Sequence, residues 1–146
     1  MISNGKLFNI QKKWNQIEYF DEKWKDRIRQ MSEYVPEGSK IIDIGCGKMW
    51  LKEFLKKDCE YIGLDYVKRG DECIVYDLNK KEFPNIKVNV SFISGCMEYV
   101  SDWKWFIDKI ASSSDMIILS YCILEEFPII SDRKRLTWVN HLSNDD

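Results

Sequence analysis

The chain has 146 residues, 45% of them hydrophobic and 32% charged, with a formal net charge of -2. That length suits a single domain with a real core, and the charge balance argues against a dominant nucleic-acid-binding surface. No apolar run approaches a membrane span, and the polar start from Met1 to Lys6 lacks the apolar stretch of a secretion signal. Five cysteines (Cys46, Cys59, Cys73, Cys96, Cys122) form no CxxC pair and accompany one histidine, so they read as free thiols in a reducing cytoplasm, with no metal site expected.

In chain order, Ile10, Trp14, Ile17, Trp24, Ile28 and Met31 recur at helical spacing and predict an amphipathic helical region, with Asp21 as the cap of a second helix after a break near Phe20. That region reads as packing on the sheet edge; a functional alternative has Trp14 or Tyr19 closing over a ligand pocket. Val35 to Gly38 then turns the chain into Ser39–Ile44, an apolar run that ends in the glycine turn Gly45-Cys46-Gly47. Trp50, Leu51, Phe54 and Leu55 predict a helix directly after it. A backbone without Cβ lets a ligand touch the main chain, yet an unliganded left-handed turn explains the two glycines equally well.

Glu60–Asp65 predicts a second strand and Cys73–Asp77 a third, joined by a link, Val67 to Glu72, too short for a crossover helix and so expected to be extended. Val88, Val90, Phe92 and Ile93 make a fourth strand that stops at Ser94-Gly95. Ser101 or Asp102 caps a helix carrying Trp105, Phe106 and Ile110, which closes at Ser112–Ser114. Met116–Ser120, nearly all apolar, predicts a fifth strand covered on both faces.

Three of these strands end in an acid. Asp43, Asp65 and Asp77 would lie side by side at the carboxyl edge of one sheet, where open α/β folds bind ligands. Their field disfavours phosphate and favours a cation or a hydroxyl-rich neutral group. A nicotinamide dinucleotide fits poorly, because the third position of GxGxxG is Trp50. S-adenosylmethionine (SAM), with its sulfonium, ammonium, ribose and adenine, fits well.

The ordered set Asp43-Ile44-Gly45-Cys46-Gly47, Asp65, Asp77-Leu78 and Ser94-Gly95-Cys96-Met97-Glu98-Tyr99-Val100 resembles the successive motifs of the class I SAM-dependent methyltransferases, over roughly Ser39 to Cys122. The resemblance implies a Rossmann-like, doubly wound parallel α/β sheet of strand order 3-2-1-4-5 with N-terminal helices. It divides the chain into an N-terminal helical region (1–38), a SAM-binding core (39–122) and a partial C-terminal region (123–146). It also implies roles: Gly45, Cys46 and Gly47 against the methionine part, Asp43 orienting its amino group, Asp65 on the ribose hydroxyls and Tyr66 on the adenine. Asp77 and the Leu78 N–H would read the adenine edge, and Gly95 would floor the site. Met49 departs from the family's third glycine. The antiparallel strands that usually follow the fifth strand are missing: Ile129–Trp138 reads as a helix, and Ser143 as the cap of another.

His141 is the one side chain whose ordinary pKa suits proton transfer near neutrality; a solvated histidine near the terminus is the competing reading. Trp103, Trp105, Trp138 and Tyr121 fit an aromatic pocket wall or core packing equally. The expected function is methyl transfer to a small-molecule or glycan-precursor acceptor, with no nucleic-acid partner and no membrane. The alternative is a SAM-binding or vestigial domain that acts through a partner without catalysis. An uncovered fifth strand carries no lysine or proline against pairing, so either residues 125–142 or a second copy of the chain is expected to cover it.

Overall fold

The computed structural model describes Asn15 and residues 20–146. Helix α1 spans Lys23–Ser32, and Asp21 accepts from the Lys23 N–H at 2.9 Å, one residue ahead of the cap position. The expected apolar positions Ile10, Trp14 and Ile17, and the pocket-closing role of Trp14 or Tyr19, lie outside the described residues. Further along the stripe, Ile28 and Met31 pack on a buried group formed by Val35, Ile41, Leu51, Val90 and Phe92.

Five strands follow: β1 (Lys40–Ile44), β2 (Glu60–Asp65), β3 (Cys73–Val75), β4 (Val88–Ser94) and β5 (Ser114–Ser120). They form one sheet in the order β3-β2-β1-β4-β5. Each adjacent pair is parallel, with Ile42 opposite Ile62 on one side and Ser91 on the other. Alternation of side chains along β1 and β4 sends Ile41 and Phe92 to the α1 face. It sends Ile42, Ile44 and Ile93 to the opposite face, where they meet Phe106 and Ile110 of helix α2 (Trp103–Ser113). The Asp102 carboxylate caps α2 by accepting from the Trp105 N–H at 3.1 Å. As expected, the link between β2 and β3 contains no helix.

The third strand stops at Val75, two residues short of the expected end at Asp77, and two further expectations are corrected. The helix after the glycine turn is a single 3₁₀ turn, Trp50–Glu53. Retracing a five-residue strand of about 17 Å takes about eleven helical residues plus turns, and only ten, Trp50 to Cys59, separate the loop from β2. Met49, at φ 56°, also breaks helical geometry at its start. The second correction concerns β5, which is not covered on both faces: Met116 is 41% and Leu119 36% exposed. It is the last strand of the sheet, and among the described residues nothing pairs with its outer edge.

Residues 125–142 close over the carboxyl end of the sheet instead of along β5. Their helix α3 runs only from Ile130 to Arg135, shorter than the 129–138 expected, and Thr137 ends it at φ 67°. Arg133, fully buried, anchors the segment. Its Nε donates to His141 Nδ1, Nη1 to the carbonyls of Ile123 and Phe127, and Nη2 to Tyr121 Oη and the Cys122 carbonyl. All five guanidinium N–H groups are thereby used on neutral acceptors. Asn140 donates from Nδ2 to the carbonyls of Met97 and Val100, and Leu124 N–H bonds to the Leu142 carbonyl. Ser143 begins a capping arrangement, as expected: its Oγ accepts from the Asp145 N–H while Asp146 accepts from the Ser143 N–H. No helix among the described residues is long and apolar enough to cross a membrane.

Candidate functional site

The carboxyl ends of β1, β2 and β4 open into a cavity of about 370 Å³, at the point where the strand order reverses between β1 and β4. Eight of the nine expected cofactor residues line it: Gly45, Cys46, Gly47, Asp65, Tyr66, Asp77, Leu78 and Gly95. The ninth, Asp43, does not. It is 5% exposed and accepts from Tyr61 Oη at 2.8 Å. Burial pushes its carboxyl up to about 7, against the opposing hydrogen bond from Tyr61.

The glycine turn is built by the backbone. Gly45 and Cys46 both donate to the Leu64 carbonyl, at 2.8 and 3.1 Å, which ties the loop to β2. Gly45 lies at φ +75°, and a Cβ there would stand 2.7 Å from Cys96 Sγ, so this glycine is demanded by the neighbouring β4 loop as well as by any ligand. At Gly47 a Cβ would meet the Phe20 ring at 2.1 Å.

Asp65 is 6% exposed and heavily bonded. Its Oδ2 accepts from Gly47 N–H and Arg69 Nε, both at 3.1 Å, and its Oδ1 from Tyr66 N–H at 2.8 Å and Arg69 Nη2 at 3.5 Å. The Arg69 guanidinium lies 5.4 Å from the Phe20 ring centre and 5.9 Å from that of Tyr66. Asp77 accepts from the Asn79 N–H at 3.0 Å, capping the 3₁₀ turn Leu78–Lys80. On the opposite side of the cavity, Arg27 of α1 donates from Nε to Ser94 Oγ at 2.9 Å, and its Nη2 comes within 2.6 Å of where a Gly95 Cβ would be.

The purely acidic edge read from the sequence is therefore corrected. Arg27, Lys48 and Arg69 line the same cavity as Asp65, Asp77 and Glu98, so positive and negative groups balance and the field of the acids alone does not select the ligand. Arg69 was legible only as the fourth residue after Asp65, and Arg27 only as part of a charged helix face; neither signal pointed to a site. His141 lies outside the cavity wall, and its Nδ1 accepts from Arg133 at 3.2 Å. Of the candidate aromatic wall, Trp138 alone lines the cavity, donating to Tyr99 Oη at 3.2 Å, while Trp105 and Tyr121 pack against the core.

A parallel sheet of this order, with a glycine turn after β1 and an acid closing β2 around one cavity, defines a Rossmann-like α/β domain of the kind that binds nucleoside-containing cofactors. A family profile described as "Methyltransferase domain" matches residues 16–140, and the chain belongs to that family, within the class I SAM-dependent methyltransferases. Among solved structures, the small RNA methyltransferase HEN1 is similar at 17% identity and a TM-score of 0.58, over 85% of this chain and 20% of that one. A complex between the Haloferax volcanii Trm112 methyltransferase activator and the putative methyltransferase is similar at 16% identity and a TM-score of 0.49, over 80% of this chain and 57% of that one. The chain thus spans a fifth of the first and little more than half of the second. No curated protein matches it.

Proposed function

We propose that the chain binds SAM in this cavity and transfers its methyl group to a small-molecule or glycan-precursor acceptor. The observation that carries the reading is the convergence of the glycine turn, the Asp65 carboxylate and the Arg27 guanidinium on one cavity of about 370 Å³, within the range of small-ligand sites. Asp65 suits the ribose hydroxyls, the Leu78 N–H and Asp77 the adenine edge, and Gly45 and Gly47 the methionine backbone. Arg27 suits the carboxylate of that methionine: among the described residues it pairs with no acid. Bound SAM would supply a methyl group made electrophilic by its sulfonium. The chain's own contribution is to hold the acceptor in line and keep water out, which can supply much of a rate enhancement without a general base. His141 has no part in this proposal, since it stands apart from the cavity.

HEN1 acts on small RNA; for this chain, the modest cavity of about 370 Å³ and the net charge of -2 favour a small acceptor. One observation favours the alternative of a domain that binds without turnover or not at all: Arg69 occupies both oxygens of Asp65, and Phe20 lies on Gly47. Under the main reading both side chains move aside when the cofactor enters. Calorimetric titration with SAM separates the two. Wild type is expected to bind, Asp65→Ala to bind at least tenfold more weakly because charge-assisted bonds worth about 1.5 to 3 kcal/mol each are lost, and Arg69→Ala to bind more tightly because a competitor is removed. Absence of binding in wild type and in Arg69→Ala alike would overturn the reading.

A further inference from the structure

Among the described residues, two buried side-chain oxygens have no hydrogen-bond partner, Ser91 Oγ and Glu98 Oε2. Ser91 lies within β4, remote from the cavity wall. Glu98, in contrast, is 4% exposed and forms part of that wall. Its position is over-determined: Oε1 accepts from the Cys122 N–H at 3.1 Å, and its carbonyl accepts from the Val139 N–H at 2.9 Å. The carboxyl is therefore pinned between the end of β4 and the end of β5, with one oxygen idle.

The groups around it leave that oxygen a specific use. Arg27 from α1 and Arg133 from α3 favour its charge from a distance, and neither forms an ion pair with it; Arg133 is spent on neutral acceptors and Arg27 on Ser94. Burial pushes the carboxyl up, so Glu98 is a stronger base than an exposed glutamate. Strand order sets it on the β4–β5 side of the cavity, across from Asp65 and Asp77 on the β2–β3 side, with Trp138, Tyr99 and Cys122 beside it.

We infer that Glu98 receives the methyl acceptor, and that the atom methylated is an amine nitrogen or hydroxyl oxygen whose hydrogen is donated to Oε2. This rests on the SAM reading above and specifies the acceptor chemistry that reading leaves open. A buried acceptor oxygen without a partner costs stability unless something fills the position, and an N–H or O–H does so. As the acceptor's lone pair forms the new bond to the methyl carbon, the carbon–sulfur bonding pair leaves with the sulfur and the acceptor's proton passes to Oε2. An acceptor that reacts through a sulfur bearing no proton, such as a thioether, has no use for the group, and a carbon acceptor offers no N–H or O–H at the reacting atom to fill the position on Oε2.

The test uses the full chain with methyl-tritiated SAM and fractionated cell lysate, the labelled product being identified by mass spectrometry. The label is expected on nitrogen or oxygen. For that product, kcat/KM is expected to fall about a hundredfold or more in Glu98→Ala and in Glu98→Gln, within the usual span of general-base effects. Glu98→Gln retains an oxygen for the Cys122 N–H and so guards against a folding defect. Calorimetric affinity for S-adenosylhomocysteine is expected to stay within twofold of wild type in both variants, a readout that does not depend on turnover. Label on sulfur or carbon overturns the inference. So do kcat/KM within threefold of wild type in Glu98→Gln, loss of S-adenosylhomocysteine affinity in both variants, or no labelled product from a protein that binds S-adenosylhomocysteine. A wild-type chain that binds neither SAM nor S-adenosylhomocysteine overturns the cofactor reading itself.

Discussion

The unusual residue behind this site, outside the cavity wall, is Asp43. A carboxyl within a buried, central parallel strand loses its water, and the Tyr61 hydroxyl returns only part of what is lost, so the acid rises to about 7. Its consequence for stability has a definite sign. Between the unfolded value of 3.8 and the folded value of about 7 the native state holds more protons than the unfolded state, so stability falls as pH rises through that window. Three units correspond to about 4 kcal/mol at most. Asp43→Asn, which keeps an acceptor for Tyr61, is expected to flatten the slope. Urea denaturation at pH 4, 5.5 and 7 checks it: a variant whose midpoints track those of wild type would show that Asp43 ionises as freely folded as unfolded.

At the scale of elements, the connections carry the site more than the helices do. The glycine turn leads into one 3₁₀ turn, and the β2–β3 link has no helix, so Lys48 and Arg69 come to the cavity on short irregular backbone and Asn79 on the 3₁₀ turn after β3. The C-terminal segment is organised around one buried side chain. Arg133 gathers the carbonyls of Cys122, Ile123 and Phe127 with Tyr121 and His141, and its guanidinium stacks 4.9 Å from the Trp138 ring centre. Lysine offers three donors where arginine offers five in a planar fork, so it cannot repeat this arrangement. Arg133→Lys and Arg133→Ala are both expected to cost about 3 to 5 kcal/mol of folding stability, because several buried acceptors lose their donor at about 1 to 3 kcal/mol each. Chemical denaturation measures it, and a loss under 1 kcal/mol in both would mean that Trp138 and Asn140 hold the segment without it.

For the whole molecule, the open question is the β5 edge. Residues 125–142 pass over the end of the sheet, leaving the outer backbone of β5 unpaired among the described residues, with Met116 and Leu119 exposed. An apolar edge without lysine or proline is a template for another strand. A second copy of the chain, related by a twofold axis, is the expected occupant. Light scattering is expected to give a dimer, with β5 amides protected from hydrogen exchange. A monomer whose β5 amides exchange rapidly would show that the edge stands open to water.

The positions of the strands, the glycine turn, the acid ending β2 and the acid just after β3 were legible in the amino-acid sequence because each is a local pattern: an apolar run of strand length, a break without Cβ, and a polar residue where the strand meets solvent; strand order came from the family resemblance. Eight of the nine expected cofactor residues line one cavity for that reason. What local pattern does not contain is which side chains reach across. Arg27 comes from α1 and Arg69 from the crossover, and Glu98 loses its solvent only when residues 123–140 fold over it. Asp43 reads like Asp65 in the chain and differs from it in space, because β1 is central in the sheet and Tyr61 of β2 covers its acid. The cover on β5, argued from the sequence as a requirement, likewise depends on tertiary structure: Asn140 and the Val139 N–H supply donors to the carbonyls of Met97, Val100 and Glu98, so residues 125–142 sit at the end of the sheet and not along β5.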